Sequence, residues 1–219
     1  MTTNRSLNLG QALAIGALWG TVEIFGGAAL KKVGLAPVTG SILAALTSFF
    51  LAISIFATER YHFYFITLLV AAIFRIVNSV TWHLPAMHSG FGNPVFGMAS
   101  EALALFALLV LFRKSIRRGS IQSLVGATYA LVAGLAFPAV KIFTGIPACV
   151  YKNIPIPLSI IYAPLAMVLA LFLFPLGSTF GLQIKRRFEM SPNALPASLL
   201  WALPLGAFTL LLLAAFIHV

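Results

Sequence analysis

Apolar runs of about twenty residues follow one another along nearly the whole chain, and a helix of that length crosses a hydrocarbon core of about 30 Å. Seven such runs are expected, near residues 9–30, 37–57, 63–82, 94–112, 120–144, 157–180 and 195–217. The breaks between them read KKVGLAP, TERYH, HLPAMHSGFGNP, RKSIRRGS, IPACVYKNIPIP and QIKRRFEMSPN, each combining charge, Pro, Gly or Asn. Pro175, Gly177 and Gly181 make the last boundary the softest, because they are able to end the sixth helix early. The sequence lacks the period-2 alternation of an outer-membrane barrel, so the spans are helical. The expected fold is an all-α, polytopic transmembrane bundle of about six to seven spans, with residues 1–219 forming one integral membrane domain.

Composition agrees. With 61% hydrophobic and 8% charged residues, the chain lacks the polar surface that a soluble domain of 219 residues requires. Its net charge of +10 does not point to nucleic acid, because the basic residues stand in short clusters between apolar runs. That arrangement sets topology and favours anionic lipid. With the amino terminus cytoplasmic, Arg5, Arg60, the Arg113/Lys114/Arg117/Arg118 cluster and Lys185/Arg186/Arg187 all lie inside. Only Lys31, Lys32 and Lys152 are then left for the outer loops, a clear positive-inside bias for an inner (cytoplasmic) membrane. The carboxyl terminus falls outside if the count is seven. A single cysteine, Cys149, excludes an internal disulfide, and the first apolar run is too long for a signal-peptide core, so a retained helix is expected.

The four acidic residues are all Glu, and they divide into two kinds. Glu59 and Glu189 sit beside basic residues at helix ends. Glu23 (LWGTVEIFGG) and Glu101 (FGMASEALALF) fall inside apolar runs, as do Arg75 (AAIFRIVNSV) and Lys141 (FPAVKIFTG). A charge at the bilayer centre costs about 2.5–3.5 kcal/mol on insertion scales, so such residues face a protein interior and mark a functional path. All four reach a similar depth toward the external face, on four separate helices. One shared polar site follows, with Asn78 and Trp19 beside it. The competing reading is two structural ion pairs that hold the bundle together without touching a ligand.

Ala12, Gly16 and Gly20 recur at four-residue intervals on the first span, followed by Gly26-Gly27. Small residues at this spacing let another helix approach closely. The stripe reads either as a docking face for a partner membrane subunit or as close packing within the bundle. PVTGSILAAL opens the second span with Pro at the helix start, and GNPVFGMASE does the same for the fourth. His83, Met87 and His88 share an outer loop, but their spacing matches no recognised metal or haem site and no Cys or Asp supports it. Cys149 reads as a small packing residue. Trp82, Phe91 and Tyr151 belong at the membrane interface or in the wall of an apolar cavity. GxxxxGK[ST], HExxH and GxSxG are all absent, so the chain has no visible means of hydrolysing ATP and is expected not to be an enzyme.

Taken together, the Ala12/Gly16/Gly20 stripe, the PVTGSILAAL start of the second span and the GNPVFGMASEAL start of the fourth resemble the substrate-binding membrane subunits (S-components) of energy-coupling factor transporters. These are ABC importers of vitamins and metal ions. Size, basic charge and site depth are also similar to that family, in which six helices are usual. The resemblance implies a bundle that binds substrate from outside, docks on a transmembrane coupling protein driven by two ATPases, and tips over to release its load. Under it, the Ala12/Gly16/Gly20 stripe is the docking surface. Glu23, Arg75, Asn78, Glu101, Lys141 and Trp19 are site candidates by position. Metal-specific members carry a His-containing amino terminus, which MTTNRSLN lacks, so no metal or other cofactor is expected.

The expected function is therefore capture of a small micronutrient bearing ionisable groups. Arg75 and Lys141 would pair with its anionic groups, and Glu23, Glu101 and Asn78 would exchange hydrogen bonds with it. Alternatives are a stand-alone secondary transporter with Glu23 or Glu101 as proton carrier, a membrane enzyme acting on lipid with Glu101 or His88 as base, and an assembly subunit without ligand. No internal repeat supports the first alternative.

Overall fold

The computed structural model describes residues 3–81, 83, 89–139, 158–190, 202, 204–207 and 209. The first membrane rod joins α1 (Thr3–Thr21), a π-helical turn (Val22–Gly26) and α2 (Gly27–Lys32). A 3-10 turn, Ala36–Val38, leads into α3 (Thr39–Thr58), followed by α4 (Tyr61–Thr81), α5 (Ser89–Leu111) and α6 (Gly119–Ala136). A second 3-10 turn, Phe137–Ala139, caps α6, and α7 runs from Leu158 to Met190. Among the described residues six helices are long and apolar enough to span a membrane, and the protein is an all-α, multi-pass bundle. Most of the expected seventh run, 195–217, lies outside the described residues. Ala207, one of the few described there, packs against Ala17, Ile24 and Phe74.

Two of the expected boundaries are corrected. α7 does not stop at Pro175, Gly177 or Gly181 but continues through QIKRRFEM, and its 33 residues give a rod of about 50 Å. The glycines serve close approach instead of termination. A β-carbon at Gly181 would meet the Ile53 carbonyl oxygen at 2.7 Å, and one at Gly177 would press on the Phe49 carbonyl of α3. α3 against α7 is accordingly the most extensive helix pair in the bundle. The second correction concerns Pro94. The apolar spanning stretch runs Pro94–Leu111, as expected, but Pro94 is not the helix start: it sits inside α5, which begins at Ser89. Pro is tolerated in spanning helices where neighbouring groups re-satisfy the freed carbonyl.

Helix association in lipid relies on packing and polar contacts, because the surrounding tails are as apolar as the side chains. Both are evident. Large apolar side chains point outward at Leu69, Val80, Leu103 and Phe172, a surface suited to lipid and not to water. Inside, hydroxyls stitch helix to helix. Ser54 and Thr67 share a 2.7 Å hydrogen bond, and Thr67 donates to the Ala12 carbonyl at 3.1 Å. Ser41 donates to the Tyr162 carbonyl at 2.9 Å and Ser178 to Gln122 Oε1 at 2.6 Å.

One end of the bundle is basic and cross-linked. Glu59 terminates α3 in the left-handed region at φ 53, a conformation that costs a non-glycine residue about 1–2 kcal/mol. Its carboxylate bridges Arg117 Nη2 at 2.9 Å and Lys185 Nζ at 2.7 Å, and Lys185 also reaches Glu189 at 3.6 Å. Asn8 Nδ2, near the start of α1, donates to the Thr58 carbonyl at 3.5 Å. The start of α1, the end of α3, the α5–α6 turn and the end of α7 thus share one face, as alternating spans require.

Candidate functional site

Glu23 sits in the π-helical turn, where one extra residue widens the helix between α1 and α2. Such turns are rare and frequently occur at functional positions. The turn buries Glu23 and Ile24 while leaving Phe25 exposed. The Glu23 carboxylate interacts electrostatically with Arg75 of α4 and lies near the Trp19 indole one turn earlier on α1. Neither partner is saturated. Trp19 is fully buried, yet its Nε1–H makes no hydrogen bond of normal length, and the same holds for Arg75 Nε–H. The approach of Glu23 to these donors is therefore electrostatic and not a closed hydrogen-bonded pair. Asn78 stands three residues beyond Arg75 on α4 and is half-buried.

Glu101, also buried, enters from α5 and interacts with the Glu23 carboxylate. Around it are groups from three other helices: Thr47 of α3, Tyr64 of α4 and Tyr129 of α6. Thr47, Ser48, Tyr64 and Tyr129 are each completely buried. Thr47 is a side-chain hydrogen-bond partner of the Glu101 carboxylate and Ser48 of the Tyr129 hydroxyl, and each of the four hydroxyls also lies within hydrogen-bond range of a main-chain carbonyl. Tyr64 donates to Ala102, Tyr129 to Ala44 at 2.7 Å, Ser48 to Ala45 at 2.5 Å and Thr47 to Leu43 at 3.1 Å.

Counting from the end opposite the basic face at 1.5 Å per residue, Arg75 lies about 9 Å from Thr81, Tyr129 about 10 Å from Ala136, Thr47 about 12 Å from Thr39, Glu23 about 13 Å from Lys32, Glu101 about 18 Å from Ser89 and Trp19 about 20 Å from Lys32. The four residues Trp19, Glu23, Arg75 and Glu101 thus sit on three helices between the outer third and the middle of the bundle, with Glu23 in electrostatic reach of both Arg75 and Glu101. Lys141, the fourth expected charge, lies outside the described residues, as do Met87, His88, Cys149 and Tyr151. His83 is exposed in the turn after α4, with φ 50.

Thr47, Ser48, Tyr64 and Tyr129 went unnoticed in the sequence. A hydroxyl in an apolar run has no charge to signal it, and Tyr64 sits near the basic end of α4, about 16 Å along the helix from Arg75, where it meets the Ala102 carbonyl next to Glu101. Tyr129 had a usable signal. It lies mid-span in GATYALVAG, away from either interface where tyrosines usually collect.

The docking role expected of Ala12, Gly16 and Gly20 is corrected. All three are buried inside the bundle, where α1 crosses α4. A β-carbon at Gly16 would meet the Thr67 carbonyl oxygen at 2.6 Å and Val70 Cβ at 2.8 Å, and one at Gly20 would meet Phe74 Cβ at 2.6 Å. The stripe is already occupied by α4 and offers no surface to a second chain.

Among the described residues no group of three or more His, Cys, Asp or Glu side chains is placed to hold a metal ion. What the layer supplies is hydrogen-bonding and charge recognition: two carboxylates, one guanidinium, one indole N–H and the lone pairs of four hydroxyls. No family model, no curated protein and no solved structure matches this chain. Fold and site define a multi-pass helical membrane protein with a charged polar layer at its centre.

Proposed function

We propose that this chain is the membrane-embedded substrate-binding subunit of an importer of the energy-coupling factor type, residing in the cytoplasmic membrane. It takes a small, ionisable micronutrient from outside and passes it on through a coupling protein and ATPase subunits supplied by other chains. The observation that carries this reading is that Glu23 interacts electrostatically with both Arg75 and Glu101, three charged residues from three separate spans inside an apolar bundle, with the buried Trp19 indole beside Glu23. Burying charges is costly, and a purely structural role would favour donors and acceptors that close on one another. Here Trp19 Nε1–H and Arg75 Nε–H stay open instead. With the small-residue stripe enclosed by α4, the surface that meets the coupling protein lies elsewhere on the bundle.

Native mass spectrometry of the protein purified from its host tests the reading. The wild-type chain is expected to carry a small-molecule adduct that R75A and E101A lose while still inserting and migrating as folded protein. Co-purification with ATPase subunits tests the partners. Equal adduct occupancy in all three chains would remove Arg75 and Glu101 from the site.

A second reading has one observation in its favour. Glu23 of the π-helical turn and Glu101 of α5 lie within electrostatic reach of one another, an arrangement suited to a proton carrier in a stand-alone secondary transporter. Solute uptake by the purified chain in liposomes, driven by a pH gradient without ATPase partners, would select it.

A further inference from the structure

The basic end of the bundle carries more charge than its own ion pairs use. Glu59 holds Arg117 and Lys185, and Glu189 reaches Lys185. Among the described residues, Arg60, Arg113, Lys114, Arg118, Arg186 and Arg187 make no ion pair, and all of them are exposed. Their level is set by α3, whose 20 residues rise about 30 Å, the thickness of a hydrocarbon core. Glu59 ends α3, so the Arg117 and Lys185 that it grips stand at the membrane boundary. Arg186 and Arg187 follow Lys185 within about 3 Å along α7. That is the depth of lipid headgroups.

Direction matters as much as depth. On α7, Val168, Phe172, Leu176 and Phe180 are exposed and form the stripe suited to lipid tails. At about 100° per residue, Arg186 and Arg187 fall within that stripe, whereas Lys185 and the buried Phe188 fall on the other side, toward Glu59. The end of α5 repeats the pattern: Val110 and Leu111 are exposed, and Arg113 and Lys114 follow directly in the turn. Glu59 holds the two groups together, one carboxylate oxygen on Arg117 of the turn and the other on Lys185 of α7. We infer that this rim binds anionic phospholipid, with phosphate on Arg113, Lys114, Arg118, Arg186 and Arg187 and acyl chains along the exposed faces of α5 and α7. A guanidinium offers phosphate two parallel N–H donors, and all of these side chains but Lys114 are Arg. An acidic protein approaching from water calls for charge on the end of the bundle; here Arg186 and Arg187 continue the lipid-facing stripe. The rim is separate from Glu23, Arg75 and Glu101, and its lipid binding does not depend on the importer reading.

The test takes the full chain in detergent micelles doped with equimolar phosphatidylglycerol and phosphatidylcholine, and reads the lipid adducts by native mass spectrometry. Wild type is expected to retain phosphatidylglycerol in preference, and to lose that preference as salt is raised. A basic side chain near an anionic surface contributes about a fivefold factor, so R186Q/R187Q and R113Q/K114Q should each lower the preference about 25-fold. K31Q/K32Q, which removes the same charge from the opposite end, should leave it unchanged. Thermal unfolding of each variant without added lipid separates loss of lipid from loss of fold. Equal retention of the two lipids by wild type, or an equal drop in K31Q/K32Q, overturns the inference. Displacement of the lipid by glycerol phosphate at the same concentration also overturns it, because the rim would then be a site for small anions. Loss of co-purifying ATPase subunits from R186Q/R187Q with its lipid preference intact would make the rim a protein interface instead, and overturns it too.

Discussion

The protein uses its four glutamates in two opposite ways. At the basic end, Glu59 closes on Arg117 and Lys185 at 2.9 and 2.7 Å, and Lys185 reaches Glu189, all within partial reach of solvent. In the outer half, Glu23 and Glu101 are buried beside one another, and the donors nearest Glu23 keep open hydrogen-bonding positions. The first pair ties together the ends of helices and is complete as it stands. The second is expensive to bury and incomplete. In a molecule with so few charges, that incompleteness is the observation on which the proposed binding role rests.

The comparison fails if both glutamate pairs respond alike to mutation. The largest contrast is expected from R75A and E101A, each of which removes one side of a buried charged contact and should cost about 2–5 kcal/mol of ligand affinity, read by titration with the co-purified molecule. A Leu at Gly16 sharpens the distinction between site and scaffold. The side chain would collide with Thr67 and Val70 at the α1–α4 crossing, so overpacking of about 1–3 kcal/mol should lower the thermal midpoint in detergent. A docking role for the stripe would instead leave stability unchanged and abolish only partner capture.

Smaller effects follow. Removing the Ser54–Thr67 link with S54A should cost about 0.6 kcal/mol, the average for interhelical hydrogen bonds in membranes, with no change in ligand binding. E59Q should cost between about 0 and 1 kcal/mol, because its partners are partly exposed, and raising the salt concentration should shrink the difference from wild type. A loss of ligand binding in E59Q would mean that the two glutamate pairs are not separate systems.

The sequence made the membrane architecture plain, because twenty-residue apolar runs have few other uses, and it singled out Glu23, Arg75 and Glu101 because a charge inside such a run is conspicuous. Packing was less legible. Gly177 and Gly181 look like helix breakers in a row of letters, yet they are the positions where α7 presses on the α3 backbone. The Ala12/Gly16/Gly20 stripe correctly signals a close helix neighbour, but spacing cannot say whether that neighbour belongs to the same chain. The π-helical turn at Val22–Gly26 has no composition of its own, and the hydroxyls of Thr47, Ser48, Tyr64 and Tyr129 acquire meaning only when three helices bring them into the interior beside Glu101.

The most direct test is a double-mutant cycle across the α1–α4 crossing, with unfolding in detergent measured for wild type, E23Q, R75Q and the double variant. If the two side chains share one buried layer, the single losses will not add, and an interaction energy of about 0.5–3 kcal/mol will remain. Strict additivity would place Glu23 and Arg75 in separate surroundings and contradict the site.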